Sequence, residues 1–238
     1  MNKKFFTLIT LLFLSISMFA QQQTNTPYDF PVKPGSEQWA AFTTGQQMVD
    51  ACQIPEDVLS QLSTEALAET CMNYPLYFEY LSSNNERTGI AYLISSFNGL
   101  QELSKRADGA SALIKIYTKL PINTASLAKT VGQSRNMLHI GYVELLLADN
   151  AFFNKISTSE LNELKKVVVA KYAEKVKENK SYSLLGIQKS LLLGARIIEK
   201  TDNMKRSAAE KSTIQNFIKF YGTPDNTYVT EMSKILCE

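Results

Sequence analysis

The stretch TASLAKTVGQSRNMLHIGYVELLLAD, residues 124–149, decides the fold that this chain is expected to adopt. Pro121 and Asn123 stand just before it and favour a helix start. Its second half carries apolar side chains on nearly every side of a helix, at Tyr142, Val143, Leu145, Leu146 and Leu147. A helix that is apolar all round belongs in the interior of a protein. The spacing therefore predicts a long buried helix over 124–149.

Helical spacing continues on both sides of this segment, and no run alternates as a half-buried strand does. Further long helices are predicted over 86–106, 182–200, 207–221 and 227–236. Long and short helices alternate without a fixed period, and the patterns of the named helical repeats are absent. The sequence therefore predicts an all-α fold, an irregular array of antiparallel helices that is either α-solenoid-like or an orthogonal bundle.

One more predicted helix is rich in lysine and glutamate. It begins at Ser157, where Glu160 completes a capping box, and runs to about Lys177. Its inward residues are expected to be Leu161, Leu164, Val168, Tyr172 and Val176. The lysines and glutamates between them, Lys171 and Lys175 included, are interpreted as a solvated face with ion pairs.

The part of the chain before residue 83 has a different character. Residues 21–35 contain three prolines and no helical periodicity, which indicates an extended leader. Short helices are predicted to begin at Thr44, Pro55 and Ser63. We expect residues 36–238 to form a single helical domain, with a short-helix subregion at 36–82 and the long-helix array at 83–238.

Residues 1–20 have the pattern of a secretory signal peptide. Lys3 and Lys4 precede an apolar run, and Ala20 precedes three glutamines, which predicts cleavage after Ala20. The apolar run is shorter than the ~20 residues that a membrane span needs. We therefore expect an exported protein, periplasmic or secreted, with no integral membrane segment in the mature chain.

Charge argues against nucleic acid as a partner. Removal of Lys3 and Lys4 takes the 25 basic residues to 23, which equals the 23 acidic residues. A chain with no net positive charge has no general attraction to phosphate backbones. We expect a protein or peptide partner instead.

No catalytic or cofactor motif is complete in this sequence. His139 is the single histidine, so a metal site with two histidines is excluded, and the apolar helix around it favours a structural role. Phosphate loops, dinucleotide fingerprints and nucleophile motifs are absent, so no catalytic residue, metal or cofactor is predicted.

The leading hypothesis is a binding module without catalytic activity. A hydrolase acting on peptides or glycans, and an inhibitor or immunity partner of a secreted protein, are the alternatives.

Three further features leave alternatives open. Cys52 and Cys71 lie near the ends of predicted helices in an exported chain, which predicts a disulfide between them, with two buried free thiols as the alternative; Cys237 has no predicted partner. Gly186, Ser190 and Gly194 form a ridge of small residues for close helix packing or for a peptide groove. The aromatic residues of segment 74–80 form either core or a recognition patch.

A quarter of the chain resembles a segment of uncharacterised exported proteins of Gram-negative anaerobes. The resemblance lies in ACQIPEDVLSQLSTEAL, residues 51–67, and ETCMNYPLYFEYLSSNNERTGIAYLISSFNGLQE, residues 69–102. A cysteine-bearing helix, the break at Tyr74-Pro75-Leu76 and the helix at Phe97-Asn98-Gly99-Leu100 carry it. It implies export in a Gram-negative bacterium and a helical fold, and no activity is attached to it.

Overall fold

The fold is all-α, as the helical spacing predicts. The computed structural model describes residues 23–122, 131–178, 182–222 and 226–238. Its α-helices in these ranges are α1 (Glu37–Ala40), α2 (Gly45–Ala51), α3 (Glu56–Gln61), α4 (Thr64–Met72), α5 (Glu86–Ser96), α6 (Asn98–Lys105), α7 (Gly109–Lys119), α8 (Val131–Ala148), α9 (Asn150–Phe153), α10 (Thr158–Lys177), α11 (Leu184–Thr201), α12 (Ala208–Lys219) and α13 (Asn226–Cys237). Two 3₁₀ helices, Tyr77–Ser82 and Asn203–Lys205, complete them.

Most helix starts follow from local signals that the sequence displays. The hydroxyl of Ser157 accepts a hydrogen bond from the backbone N–H of Glu160, whose carboxylate accepts one from the backbone of Ser157 in return. The same capping box starts α2 at Thr44, and Ser63 caps α4. The three predicted starts are confirmed. They could be predicted because a cap satisfies backbone N–H groups within four residues of itself.

The prediction of one helix over 86–106 is wrong. The helix stops at Ser96 and α6 begins at Asn98, with an extended Phe97 between them. The side-chain amide of Asn98 donates to the carbonyl of Ile54 at 2.7 Å, and its oxygen accepts from the N–H of Ile54 at 3.0 Å. The ring of Phe97 stacks on Tyr74, with centroids 4.0 Å apart. These long-range contacts hold a break that the spacing of apolar residues does not reveal.

Helix α11 is the centre of the C-terminal part of the molecule. It packs against the preceding and following helices, α10 and α12, and against α8 and α13 beyond them. Both the solenoid-like array and the orthogonal bundle contain such contacts.

The apolar half of α8 is buried, as predicted. Tyr142, Val143 and residues 145–147 have almost no exposed surface, and Ile140 is also buried. Residues 123–130, where the predicted helix begins, lie outside the described residues. The ridge of small residues on α11 serves packing at Gly194, because a Cβ atom there would lie 2.6 Å from Cδ1 of Leu236 in α13.

The described part of the leader, from residue 23, is an extended arm that lies on the short helices. Thr24 donates to the carbonyl of Gln61 at 2.7 Å and accepts from the N–H of Ser63 at 2.9 Å. Further along, Phe30 is buried against the rings of Tyr74 and Phe97. The predicted signal peptide and its cleavage site after Ala20 lie outside the described residues. None of the described helices is both long and apolar enough to cross a membrane.

Candidate functional site

A buried carboxylate on α8 connects four helices. Glu144 has no exposed surface and accepts hydrogen bonds from the hydroxyl of Tyr117 in α7 at 2.8 Å and from that of Ser190 in α11 at 2.7 Å. Its second oxygen, Oε2, lies 2.6 Å from Nζ of Lys175 in α10. A charge survives in the interior only when it is paired and hydrogen-bonded, and Glu144 meets both conditions.

The interpretation of the α10 lysines as a solvated face is wrong for Lys171 and Lys175. Lys175 is 1% exposed and also donates to the carbonyl of Gly186 at 3.1 Å. Lys171 is buried, donates to the carbonyl of Leu120 and lies over the ring of Tyr117 at 5.0 Å. The inward face of α10 continues from Val168 through these two lysines, whereas Val176, predicted to face inward, is 42% exposed.

Burial also changes the ionisation of this cluster. It lowers the pKa of Lys175 and of Lys171, and the negative charge of Glu144 opposes that change in both. Burial and the neighbouring Glu144 charge raise the pKa of Tyr117 well above its ordinary value. Tyr117 therefore stays a neutral hydrogen-bond donor to Glu144 at physiological pH.

A second ion pair lies beside the first. Nζ of Lys189 in α11 is 2.8 Å from Oε1 of Glu86 in α5, and the hydroxyl of Tyr221 donates to Oε2 of Glu86 at 2.8 Å. The stem of Lys189 lies directly over Gly141, where a Cβ atom would be 2.8 Å from its Cδ. A glycine at 141 is therefore what lets the lysine stem cross α8 at this point.

Lys175 and Lys189 line an open cleft of about 170 Å³ between α8, α11 and the 3₁₀ helix of residues 77–82. Glu86 and the first turn of α11 also line it, together with the apolar residues Met137 and Leu138. Leu81 and Leu185 border it and are 45% and 47% exposed. The cleft thus combines two buried lysines, each paired with a carboxylate, with an accessible apolar border.

The residues singled out for chemistry lie elsewhere. His139 is 9% exposed, and its ring meets that of Tyr77 edge-on at 4.6 Å, which confirms its burial. No group of three or more His, Cys, Asp or Glu residues in the described ranges is placed to hold a metal ion. In segment 74–80 the tyrosines are buried, so core packing is the correct alternative there, although Phe78 is partly exposed.

Cys52, at the end of α2, and Cys71, in α4, are both buried free thiols in the structure. Burial raises the pKa of Cys52 to about 11 and raises that of Cys71 further. Such thiols are scarcely ionised and therefore exchange slowly. The disulfide between them is not formed here and stays a prediction.

Sequence reasoning missed Glu144, Lys175 and Lys189 as a site, although two signals were present. Glu144 is the one charged residue among the apolar residues 140–148, where a carboxylate requires a partner. Lys171 and Lys175 stand three and seven residues after Val168, which places them on its face of the helix. The first signal predicts burial of Glu144, whereas the second only permits burial of the lysines, and neither identifies the partner.

No protein-family model, no curated protein and no solved structure matches this chain.

Proposed function

We propose that this protein is an exported helical module that binds a protein or peptide in the cleft and has no catalytic activity of its own. The observation that carries the proposal is the cleft itself. The side chains of Lys175 and Lys189 line it, and the exposed apolar side chains of Leu81 and Leu185 border it. Export is supported by the signal-peptide pattern of residues 1–20.

The size of the cleft favours part of a large partner over a whole small molecule. Its volume is about 170 Å³. Pockets that enclose drug-sized ligands hold about 300–1,000 Å³. A cavity of this size accepts one residue of a polypeptide, and the rest of the partner would lie on the surface around it.

The cleft is also held in place before any partner arrives. Lys175 is fixed by Glu144 and by the carbonyl of Gly186, and Lys189 is fixed by Glu86. Side chains that are ordered in the free protein lose little further entropy on binding. This arrangement is typical of a binding site on a rigid scaffold.

A catalytic role has little support in this geometry. The hydroxyl of Ser190 and the carboxylate of Glu144 are 2.7 Å apart, but neither residue has exposed surface and neither lines the cleft. A nucleophile and base must reach the substrate to act on it. The non-catalytic interpretation is therefore preferred to a hydrolase.

A displayed library of random peptides tests the proposal. The purified protein should enrich a family of peptides, and Leu185→Glu should abolish that enrichment because it places a carboxylate at the border of the cleft. Met204→Glu is the matched control, since Met204 is an apolar residue that is 93% exposed and lies outside the cleft. Circular dichroism should show that both variants keep the wild-type helix content.

Two results would contradict the proposal. One is enrichment that Leu185→Glu leaves unchanged, which would place the binding site elsewhere. The other is cleavage of the enriched peptides by the purified protein, detected by mass spectrometry, which would favour the hydrolase.

A further inference from the structure

The N-terminal arm, residues 23–30, is attached to the helices near its start, its middle and its end. Thr24 makes the two backbone hydrogen bonds to residues 61 and 63, and the N–H of Tyr28 donates to the hydroxyl of Thr70 at 2.9 Å. Phe30 is 2% exposed. The arm residues 25, 26 and 29 are exposed. A segment with so few buried contacts opens at a lower free-energy cost than packed helices do.

A tight turn at residues 33–36 joins the arm to α1. The N–H of Ser36 donates to the carbonyl of Lys33 at 3.1 Å, with Pro34 and Gly35 between them. Gly35 has a φ of 90°, which the third residue of a type II turn requires, and proline suits the second position. The closing hydrogen bond lies within the turn, so the turn keeps its shape whether or not the arm is docked. It therefore serves as a hinge for the arm.

The ring of Phe30 is the main apolar attachment of the arm. Its centroid lies 6.1 Å from that of Tyr74 and 6.1 Å from that of Phe97. When the arm leaves, the backbone groups that it paired with face the vacated space, where water replaces the lost hydrogen bonds. Exposure of an aromatic ring has no such compensation. The burial of Phe30 therefore decides how often the arm opens.

The thiol of Cys52 lies beside the docked arm. Cys52 directly follows α2, which has no buried residue, yet Cys52 itself is 0% exposed, so other parts of the chain cover it. Burial and the nearby Cys52 thiolate raise the pKa of Tyr28 in the arm, and the same two causes raise that of Tyr74. Cys52 is thus next to one ring of the arm and to one ring on which Phe30 rests.

We propose that the arm is a detachable strap: residues 23–30 open together about the turn at 33–36 while α2–α6 stay folded, and the closed arm covers the thiol of Cys52. The strap lies on the short helices, so this inference goes beyond the peptide binding proposed for the cleft and does not depend on it. In the closed state reagents in solution do not reach Cys52, and in the open state they do. The position of the arm therefore controls the reactivity of this thiol.

The rate at which an alkylating reagent modifies Cys52 in the reduced full chain tests the proposal, with each cysteine followed by peptide mapping. Phe30→Ala should raise the rate at Cys52 at least about tenfold, because loss of a buried aromatic ring costs more than the ~1.4 kcal/mol that a factor of ten represents. Cys71, which is buried in α4, should keep its rate. Asp29→Ala is the matched control, since it removes only an exposed ion pair with Lys33, and it should leave both rates unchanged.

Thr70→Val is a second variant that keeps the test open if Phe30→Ala does not fold. It preserves the shape of the side chain but removes the oxygen that accepts from Tyr28, so it should also raise the rate at Cys52. An unchanged rate at Cys52 in either variant that folds would overturn the proposal, since the arm would then not cover the thiol. A parallel rise at Cys52 and Cys71 would overturn it as well, because the helices would then open together with the arm.

Hydrogen exchange of the wild-type protein tests whether the arm opens as a unit. The amides of Thr24 and Tyr28 are both donors in the docked arm. We expect them to have similar protection factors, at least about tenfold below those of the amides within α4. Protection of the arm equal to that of α4 would overturn the proposal. Clearly different protection at Thr24 and Tyr28 would show fraying from the end instead of a hinged strap and would overturn it too.

Discussion

Nζ of Lys175 lies 2.6 Å from Oε2 of Glu144 at a place where the two side chains are 1% and 0% exposed. The pair joins α10 to α8 inside the core, and the hydroxyls of Tyr117 and Ser190 complete the coordination of the carboxylate. Because the free-energy cost of desolvating the two charges is offset only while both are present, the two residues are strongly coupled.

Loss of either charge should therefore be costly. We expect Lys175→Met and Glu144→Leu each to lower the free energy of unfolding by about 3–5 kcal/mol, since each leaves the other charge buried without its counterion. The double variant should lose clearly less than the sum of the two, as a double-mutant cycle in urea would show. Lys166→Met is the matched control in the same helix, because its pair with Glu163 is exposed and contributes at most about 1 kcal/mol. Additive losses would mean that the pair is not coupled.

The close approach of α5 to the 3₁₀ helix of residues 77–82 gives a second prediction. A Cβ atom on Gly89 would lie 2.4 Å from the carbonyl oxygen and 2.6 Å from the Cα of Tyr80, so backbone would have to move. Gly89→Ala should destabilise the protein by about 1–3 kcal/mol, the usual cost of overpacking. Gly45→Ala is the control, since nothing lies within 4 Å of a Cβ there, and it should be neutral or slightly stabilising. A melting temperature of Gly89→Ala equal to that of the wild type would contradict the packing described here.

The break between α5 and α6 depends on one side chain. Asn98→Ala removes the two hydrogen bonds to the backbone of Ile54 and leaves a buried N–H and C=O without these partners. We expect a loss of about 2–4 kcal/mol in urea unfolding, because each orphaned group costs about 1–3 kcal/mol. Asn216→Ala, which removes one long, solvent-exposed hydrogen bond to Ser212, should change the stability by less than about 0.5 kcal/mol. Similar losses for the two variants would argue against this account of the break.

Alkaline pH should unfold the protein through its buried tyrosines. Burial raises the pKa values of Tyr74, Tyr80, Tyr117, Tyr142 and Tyr221 above the ordinary value of 10.0. Above pH 10 the unfolded chain releases protons that the folded protein keeps, so the unfolding free energy falls by about 1.4 kcal/mol per pH unit for each tyrosine. Below pH 10 this contribution is complete. The lowered pKa values of Lys171 and Lys175 act in the opposite direction only up to their ordinary value of 10.5.

Urea titrations at a series of alkaline pH values measure this fall. Tyr142→Phe should reduce the slope of the unfolding free energy against pH by about 1.4 kcal/mol per pH unit, which is the contribution of one tyrosine. Tyr92→Phe is the control, since Tyr92 is more than half exposed, and it should leave the fall unchanged. An unfolding free energy that stays constant above pH 10 would contradict the prediction.

The cysteines give a prediction that distinguishes the oxidised from the reduced protein. We expect Cys52 and Cys71 to be bridged in protein recovered from the cell envelope, where thiols oxidise. Non-reducing peptide mapping would detect the bridge, and two alkylatable thiols after denaturation without reductant would disprove it. In the reduced, folded protein only the exposed Cys237 should react with an alkylating reagent, because Cys52 and Cys71 are buried and weakly acidic.

The sequence by itself determined the features whose causes lie within a few residues. The start of α10 at Ser157 follows from Glu160 three positions on, and the starts at Thr44 and Ser63 follow from equally local caps. The burial of α8 follows from apolar side chains on all its sides, which no arrangement of neighbours could leave in water. The all-α class was predictable because apolar residues recur at helical spacing, which is also a local property of the sequence.

Only the tertiary structure decided the break at Phe97 and the burial of Lys175. Asn98 meets Ile54 across 44 residues of sequence, and Lys175 meets Glu144 across 31. Along α10 the pairs 171/175 and 172/176 are neighbouring rows, so helical spacing alone cannot say which row faces the core. The lysine row faces the core, where Lys175 pairs with Glu144 of α8 and Lys171 donates to the carbonyl of Leu120.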